Sequence, residues 1–395
     1  MDIEHLFRRQ SLVNKQQQIV GYELRMNSGT KLHGDGNQIV ALCNALSQNE
    51  IRLPNDKLFF IDVPIELDIE LLIKLSRQII LDVPSATVMN EKGQLFLSGI
   101  KSLGFTICLD DFVPNTEATK LLGLASYVKL NARELGLERV VKISAELKKY
   151  PIKQIIKRVE TEELFRACAK MGADFVQGEY FIRPMISGKR VVSPAVTNIL
   201  NLMKMAQSDA PVAKMEEILK TDAALSYKLL HYINSAGFGL ACEITSYKHA
   251  VTILGYKKLY KWLSLLMVTA GKDTTAPVLM KTAAIRGRLA ESLGRQYLQD
   301  NDCDNLFLTG LFSLLDVIFH MPMEEVLSHI HLSKDLNDAL IERGGMYGPF
   351  IDLVEATEHN DIEKLEQVAE NLQLSPPVIN TSHLAALNWV EGMGI

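Results

Sequence analysis

Six short runs rich in β-branched and aromatic residues each end in a polar or charged side chain. The runs are LFFIDV (58–63), QIILDV (78–83), FTICLDDF (105–112), YVKLN (127–131), QIIKRVE (154–160) and FVQGEYF (175–181). Their end groups are Asp62, Asp82, Asp110 with Asp111, Lys129 with Asn131, Glu160 and Gln177. Carboxylate and amide oxygens are the donors that hard divalent cations require, and carboxylates also serve as general bases. One such residue is chance. Six in register imply a common rim where the strand ends meet. Helix N-capping is the rival account, because Asp and Asn favour that position. It does not cover Lys129, Glu160 or Gln177, which are not preferred caps.

The elements that would position this rim are legible from periodicity. Between the runs lie amphipathic helical stretches such as ELDIELLIKLS, ARELGLERVVKISAELKK and TEELFRACAKMG. Strand and helix alternating at this spacing predict a parallel α/β architecture, and the rim then becomes the C-terminal face of a (β/α) barrel. The earlier segments QSLVNK and QIVGYEL read as a further strand pair. Around 188–199, GKRVVSPAVTNI brings Gly, Ser and Pro without strong periodicity, which places a domain boundary there. The expected domains are therefore 1–187 and 188–395. Beyond the boundary the strand signal disappears and apolar residues recur at helical spacing, so this half is all-α.

At 395 residues the chain is long enough for two cores. Hydrophobic content of 47% with 23% charged residues is globular composition. A net charge of −5 supplies no basic field for nucleic acid. The five cysteines (Cys43, Cys108, Cys168, Cys242, Cys303) are odd in number and scattered, which argues against disulfides and structural zinc. The start MDIEHLFRRQ has no apolar signal region, and the apolar stretch Leu259 to Ala270 is too short to span a bilayer. A cytoplasmic protein with no membrane insertion is expected.

The quoted residues carry a family resemblance. GYELRM (21–26), ICLDDF (107–112), YVKLN, RVETEE and VQGEYFIRP (176–184) make the first half, over roughly 6–184, similar to the EAL family of cyclic di-GMP phosphodiesterases. The resemblance implies a TIM-like barrel and a two-metal hydrolysis of a phosphodiester. It places Glu23, Asp62, Asp82, Asp110 and Asp111 at metal-ligand positions, for Mg²⁺ or Mn²⁺ if the site is retained. It also places Lys129, Glu160 and Gln177 where the family supports the metals and the attacking water.

Departures from the family pattern point away from catalysis. Lys157 stands where the family has its catalytic Glu, and an ordinary lysine, with a pKa of roughly 10.4, is protonated at neutral pH. Asn131 replaces an Asp, Asp82 replaces a Glu, Asp62 stands in place of Asn, and Asn27 replaces a nucleotide-contacting Arg. Val113-Pro114-Asn115 replaces the loop after the paired aspartates. No catalytic residue and no cofactor are expected. The remaining ring (Glu23, Asp62, Asp82, Asp110, Asp111, Lys129, Asn131, Glu160, Gln177) is read as vestigial.

The second half resembles HDOD domains, relatives of metal-dependent HD phosphohydrolases that lack the metal site. TDAALSYKLLHYINSA (221–236), ITSYKHAVTILGYKKL (244–259) and NLFLTGLFSLLDVIF (305–319) carry the similarity. Where the hydrolases have adjacent His and Asp, this chain has Ser313-Leu314, with Asp316 nearby. His249 reads as a capping or core residue, and His320, His329 and His331 as surface residues. Asn234, Ser235 and Ala236 read as a tight helix end, with Gly237 and Gly239 as stop residues. KKLYK (257–261) reads as a buried aromatic face with snorkelling lysines, not a nucleic-acid surface. The combined expectation is a signalling protein that acts by binding. Protein partners are expected through the helical module and a homodimer through the barrel. The rivals are a weak phosphodiesterase and a cyclic di-GMP receptor without hydrolysis.

Overall fold

The structure, a computed structural model, describes residues 6–26, 54, 56–63, 65, 78–182, 194–234, 244, 246–269, 277–330, 332–359 and 362–393. By internal contacts the chain divides into two units. One comprises Met1–Phe181 with Ala356–Glu366 and Ser375–Asn380, and the other Ile182–Glu355 with Gln367–Leu374 and Thr381–Ile395.

In the first unit, eight strands among the described residues close into a barrel in sequence order. They are β1 (Phe7–Val13), β2 (Ile19–Met26), β3 (Leu58–Asp62), β4 (Ile79–Pro84), β5 (Thr106–Asp110), β6 (Tyr127–Asn131), β7 (Lys153–Lys157) and β8 (Phe175–Val176). β1 is antiparallel to β2 and to β8, while β2 through β8 run parallel. The expected strand pair and the α/β TIM-like barrel are both present. The last run is shorter than its sequence pattern: only Phe175–Val176 pair, and Glu179–Phe181 form a 3₁₀ turn.

Strand alternation explains how this barrel presents a polar rim. Leu12, Phe60, Ile80, Cys108, Tyr127 and Ile155 form one buried apolar layer. Two residues further along the parallel strands, on the same face, come Asp62, Asp82, Asp110, Lys129 and Lys157. Hydrophobic floor and charged rim are thus one period-2 pattern. Truncating Phe60 to Ala in this floor would cost about 3–5 kcal/mol. Gly21 lets β2 approach β3, because a Cβ there would lie 2.4 Å from the Leu58 carbonyl oxygen.

The helices of this unit include α1 (Glu91–Ser102), α2 (Thr116–Leu121), α3 (Ala132–Leu135), α4 (Leu137–Leu147) and α5 (Glu162–Met171). The stretch ARELGLERVVKISAELKK is two helices, not one, because Gly136 breaks it with φ +73°. ELDIELLIKLS lies outside the described residues. Asn115, in the loop after the paired aspartates, caps α2 by accepting from Ala118 N.

The second unit is helical. Its elements include α6 (Pro194–Gln207), α7 (Val212–Thr221), α8 (Ala223–Ile233), α9 (Tyr247–Thr269), α10 (Pro277–Gly294), α11 (Asp300–Phe312) and α12 (Leu315–Phe319), and α15 (Gly348–Ala356) lies further along the chain after α13 (Met323–Ser328) and α14 (Lys334–Glu342). α9 is kinked at Gly255 (φ 72°). α10 and α11 approach closely, since a Cβ on Gly310 would lie 2.6 Å from the Arg286 carbonyl oxygen. NLFLTGLFSLLDVIF breaks between α11 and α12 at Ser313–Leu314. No helix among the described residues is long and apolar enough to cross a membrane.

Candidate functional site

Glu23 on β2 is fully buried at the rim, and every carboxylate oxygen it offers is taken. Its Oε1 accepts from Arg25 Nε at 2.6 Å, and its Oε2 meets Lys129 Nζ at 3.1 Å and accepts from Gln177 Nε2. Burial opposes the charge on Glu23, yet Lys129 and Arg25 outweigh it and hold the carboxyl well below its usual range. Lys129 on β6 is also fully buried and donates to Asp82 Oδ2 on β4. Burial alone would lower this lysine; Asp82 and Glu23 overcome it and hold the ammonium well above its usual range.

A second cation spans the other side of the ring. Lys157 Nζ at the end of β7 lies 2.7 Å from Asp110 Oδ1 and 2.9 Å from Asp111 Oδ1. Burial pulls Lys157 down, but Asp110 and Asp111 more than offset this, so its ammonium is held above the usual value. Asp111 sits in the left-handed region (φ 47°) and its carbonyl accepts from Ser85 Oγ. Asn131 donates to Asp111 Oδ1 and to Glu134 Oε1, and its own Oδ1 accepts from Glu134 N to cap α3. Capping and rim are therefore not alternatives at Asn131.

The third cation is one that the sequence motif left unused. Arg25 follows Glu23 by two residues, so alternation turns both to the same face of β2. Its guanidinium pairs with Glu23 and lies 3.8 Å from both Asp62 Oδ2 and Asp110 Oδ2. Glu23 and two of its neighbours raise the Arg25 guanidinium well above its ordinary value. The signal that could have found it was the i, i+2 spacing from Glu23.

The structure thus joins Glu23, Asp62, Asp82, Asp110, Asp111, Lys129, Asn131, Lys157 and Gln177 in one network. Glu160 is not part of it: its side chain is exposed and makes no hydrogen bond or ion pair with the ring, and α5 is capped instead by Thr161.

One oxygen each from Glu23, Asp62 and Asp82 lies within 4.8 Å of the others, a spacing that a divalent ion could use. The donor set nevertheless does not fit the implied metals. Arg25 and Lys129 already lie against the oxygens of that trio, and Lys157 fills the space between Asp110 and Asp111. A divalent cation placed there would meet fixed positive charge at hydrogen-bond range, a repulsion that grows as water is excluded.

The helical unit also holds a buried arginine. Arg286 on α10, 2% exposed, donates through Nη1 to Ser313 Oγ and to Glu355 Oε1, both at 3.0 Å. Arg343 Nη2 reaches the same Glu355 oxygen at 2.9 Å. Burial pushes the Asp316 carboxyl up. His249 is half-buried in the first turn of α9, not in the core. His320 ends α12 in the left-handed conformation and is half-buried, and His329 is exposed. His331, Ser235, Ala236, Gly237, Gly239 and Asn27 lie outside the described residues. Asn234 closes its helix end by pairing its amide with the backbone of Ile244. Within KKLYK, Tyr260 is buried, and Lys261 pairs with Glu291 and sits 4.2 Å from the Phe307 ring centroid.

Comparison with known proteins matches the EAL domain over residues 65–184 and the HDOD domain over 192–336, together more than half of the chain. The EAL match begins downstream of β2, so Glu23 and Arg25 lie before it. The cyclic di-GMP phosphodiesterase CdgJ of Vibrio cholerae is 27% identical over 73% of this chain and 67% of its own length. YuxH of Bacillus subtilis is 23% identical over 98% of both chains. Among solved structures, the PaMucR phosphodiesterase in its cyclic di-GMP complex covers 46% of this chain and 96% of its own, with 18% identity and a TM-score of 0.38. With its closed eight-stranded barrel followed by a helical unit, the chain belongs to the proteins that join an EAL domain to an HDOD domain.

Proposed function

We propose that this protein works in cyclic di-GMP signalling through binding, and that its barrel does not hydrolyse the dinucleotide. The domain pair and the phosphodiesterase name of the Vibrio cholerae relative support the signalling role. The observation that carries the non-catalytic reading is Lys157. Its ammonium is locked between Asp110 and Asp111 and held protonated, so it cannot take a proton from water. Arg25 and Lys129 supply the positive charge that the acidic ring needs, which removes the demand for Mg²⁺ or Mn²⁺.

The output is then contact with other macromolecules: a protein partner through the helical unit and a second copy of the chain through the barrel. The deciding experiment incubates the full chain with cyclic di-GMP and Mg²⁺ or Mn²⁺ and separates the products by chromatography. No linear dinucleotide above the protein-free control is expected. Product formed in proportion to protein concentration overturns the proposal and restores the phosphodiesterase reading.

A further inference from the structure

The helical unit carries a cleft to which α6 and α9 both contribute. Two cavities lie along it, of ≈ 400 Å³ and ≈ 500 Å³, and Gln207 and Tyr260 line both, so the two meet there. Volumes of this order are those of sites for small organic molecules. The smaller cavity has Leu200, Met203 and Ile330 among its apolar wall residues. It adjoins a narrow pocket walled by Val196, Met267, Phe319 and Val326, which shares Leu200 and Ile330 with it.

Two features of the smaller cavity call for a polar group from outside the fold. Tyr260 on α9 is only 9% exposed, and its hydroxyl is buried with no hydrogen-bond partner among the described residues. A buried hydroxyl left in that state is destabilising until something bonds it. Burial pushes the phenol up to about 12, so at neutral pH it keeps its proton and can donate. The second feature is Lys204, in the last turn of α6. Lys261 is committed to Glu291 and Asp304, and Lys257 to Asn301, but Lys204 meets no carboxylate among the described residues. Asp209 and Asp304 line the larger cavity alone, so the smaller one holds a lysine and no carboxylate.

We infer that this smaller cavity binds a carboxylic acid with an alkyl chain, whose carboxylate is held by Lys204 and the Tyr260 hydroxyl. The chain lies over Leu200, Met203 and Ile330, toward the apolar pocket. Leu200 and Lys204 are one turn apart on α6, so one helix face serves both the chain and the head. From Thr197 to Gln207 that face runs about 15 Å, room for a chain of medium length. No arginine lines the cavity, whereas guanidinium forks are the groups that match phosphate oxygens in pairs; a singly charged head fits these donors better. The cavity lies wholly in the helical unit, so the inference goes beyond the proposed function and stands whether or not the barrel hydrolyses anything.

The test titrates the full chain with sodium decanoate by isothermal calorimetry, with decanol as the same chain without the charge. Saturable binding of decanoate is expected, and decanol should bind about tenfold more weakly. Tyr260→Phe removes a hydroxyl that nothing in the fold bonds, so its thermal midpoint should equal or exceed that of the parent. Its decanoate affinity should fall about tenfold, the loss of one hydrogen bond to a charged group, and Lys204→Gln should weaken binding similarly. Heat without saturation, decanol bound as tightly as decanoate, or parental affinity in either variant overturns the site. A lower midpoint in Tyr260→Phe would show that the hydroxyl is already bonded within the folded chain, and overturns it as well.

Discussion

The barrel rim and the core of the helical unit have reached the same physical solution from different starting materials. In each, carboxylates are met by side-chain cations at hydrogen-bond range. At the rim, five carboxylates (Glu23, Asp62, Asp82, Asp110, Asp111) are answered by Arg25, Lys129 and Lys157. In the helical unit a single carboxylate, Glu355, is shared by Arg286 and Arg343, and Arg286 also donates to Ser313. The difference is instructive. The rim holds more carboxylates than cations, whereas in the helical unit two arginines meet the one carboxylate of Glu355.

Lys129→Met tests the rim at its most buried point and has the largest expected effect. It strands Glu23 and Asp82 without their shared cation, and breaking a buried pair in this way costs about 3–5 kcal/mol. The pH dependence has a definite sign. Folding depresses the Glu23 carboxyl below its usual 4.5, so its contribution is present above pH 4.5 and is lost as pH falls below it. Removing Lys129 removes the main attraction behind that depression. The stability gap between parent and variant, read from urea midpoints, should be widest at neutral pH and narrow below pH 4.5. A gap that is constant with pH would mean that Lys129 contributes packing alone.

Arg286→Met makes the matching change in the helical unit, and a loss of about 3 kcal/mol is expected. The cost is smaller than at Lys129 because Glu355 keeps Arg343 as a partner and is itself partly exposed. Chemical denaturation followed by Trp fluorescence reports on this unit, which contains both Trp262 and Trp389. A loss greater than that of Lys129→Met would reverse the ranking of the two sites and with it the comparison.

These sites were unequally visible in the sequence. Strand ends 62, 82, 110, 129 and 177 were legible because period-2 alternation carries an apolar floor residue and a polar rim residue on one face. Arg25 was equally legible by spacing but stood in a signature position that draws attention to Glu23. Arg286 was not visible, since an arginine in a helical run reads as solvent-facing and only the close α10–α11 approach at Gly310 buries it. Glu160 was misread with the rim: it follows β7 by three residues, beyond the point where the chain leaves the barrel at Arg158 with its left-handed backbone. Alternation predicts the facing of a residue only while the strand lasts.

Lys157→Glu sharpens the distinction between a carboxylate-rich and an arginine-rich site. It replaces a cation between Asp110 and Asp111 with a third carboxylate, so the variant should be less stable in chelator and regain stability with Mn²⁺. Ligand present at tenfold over its Kd returns about 1.4 kcal/mol. The parent should show no Mn²⁺-dependent midpoint, because Lys157 already occupies that space. Mn²⁺ stabilising the parent as strongly as the variant would show that the rim is still a metal site. No single substitution at Ser313 should do the same in the helical unit.

Glu160→Ala is the smallest change and the most direct check on where the rim ends. The side chain is exposed and unpaired, and α5 takes its cap from Thr161. Its removal should leave the thermal midpoint unaltered and should not change the Mn²⁺ response that Lys157→Glu creates. Were Glu160 a working member of the ring, the double variant Lys157→Glu/Glu160→Ala would respond to Mn²⁺ more weakly than Lys157→Glu alone. Equal responses from the two variants place the functional boundary of the rim at the last paired residue of β7, where the geometry of the strand already puts it.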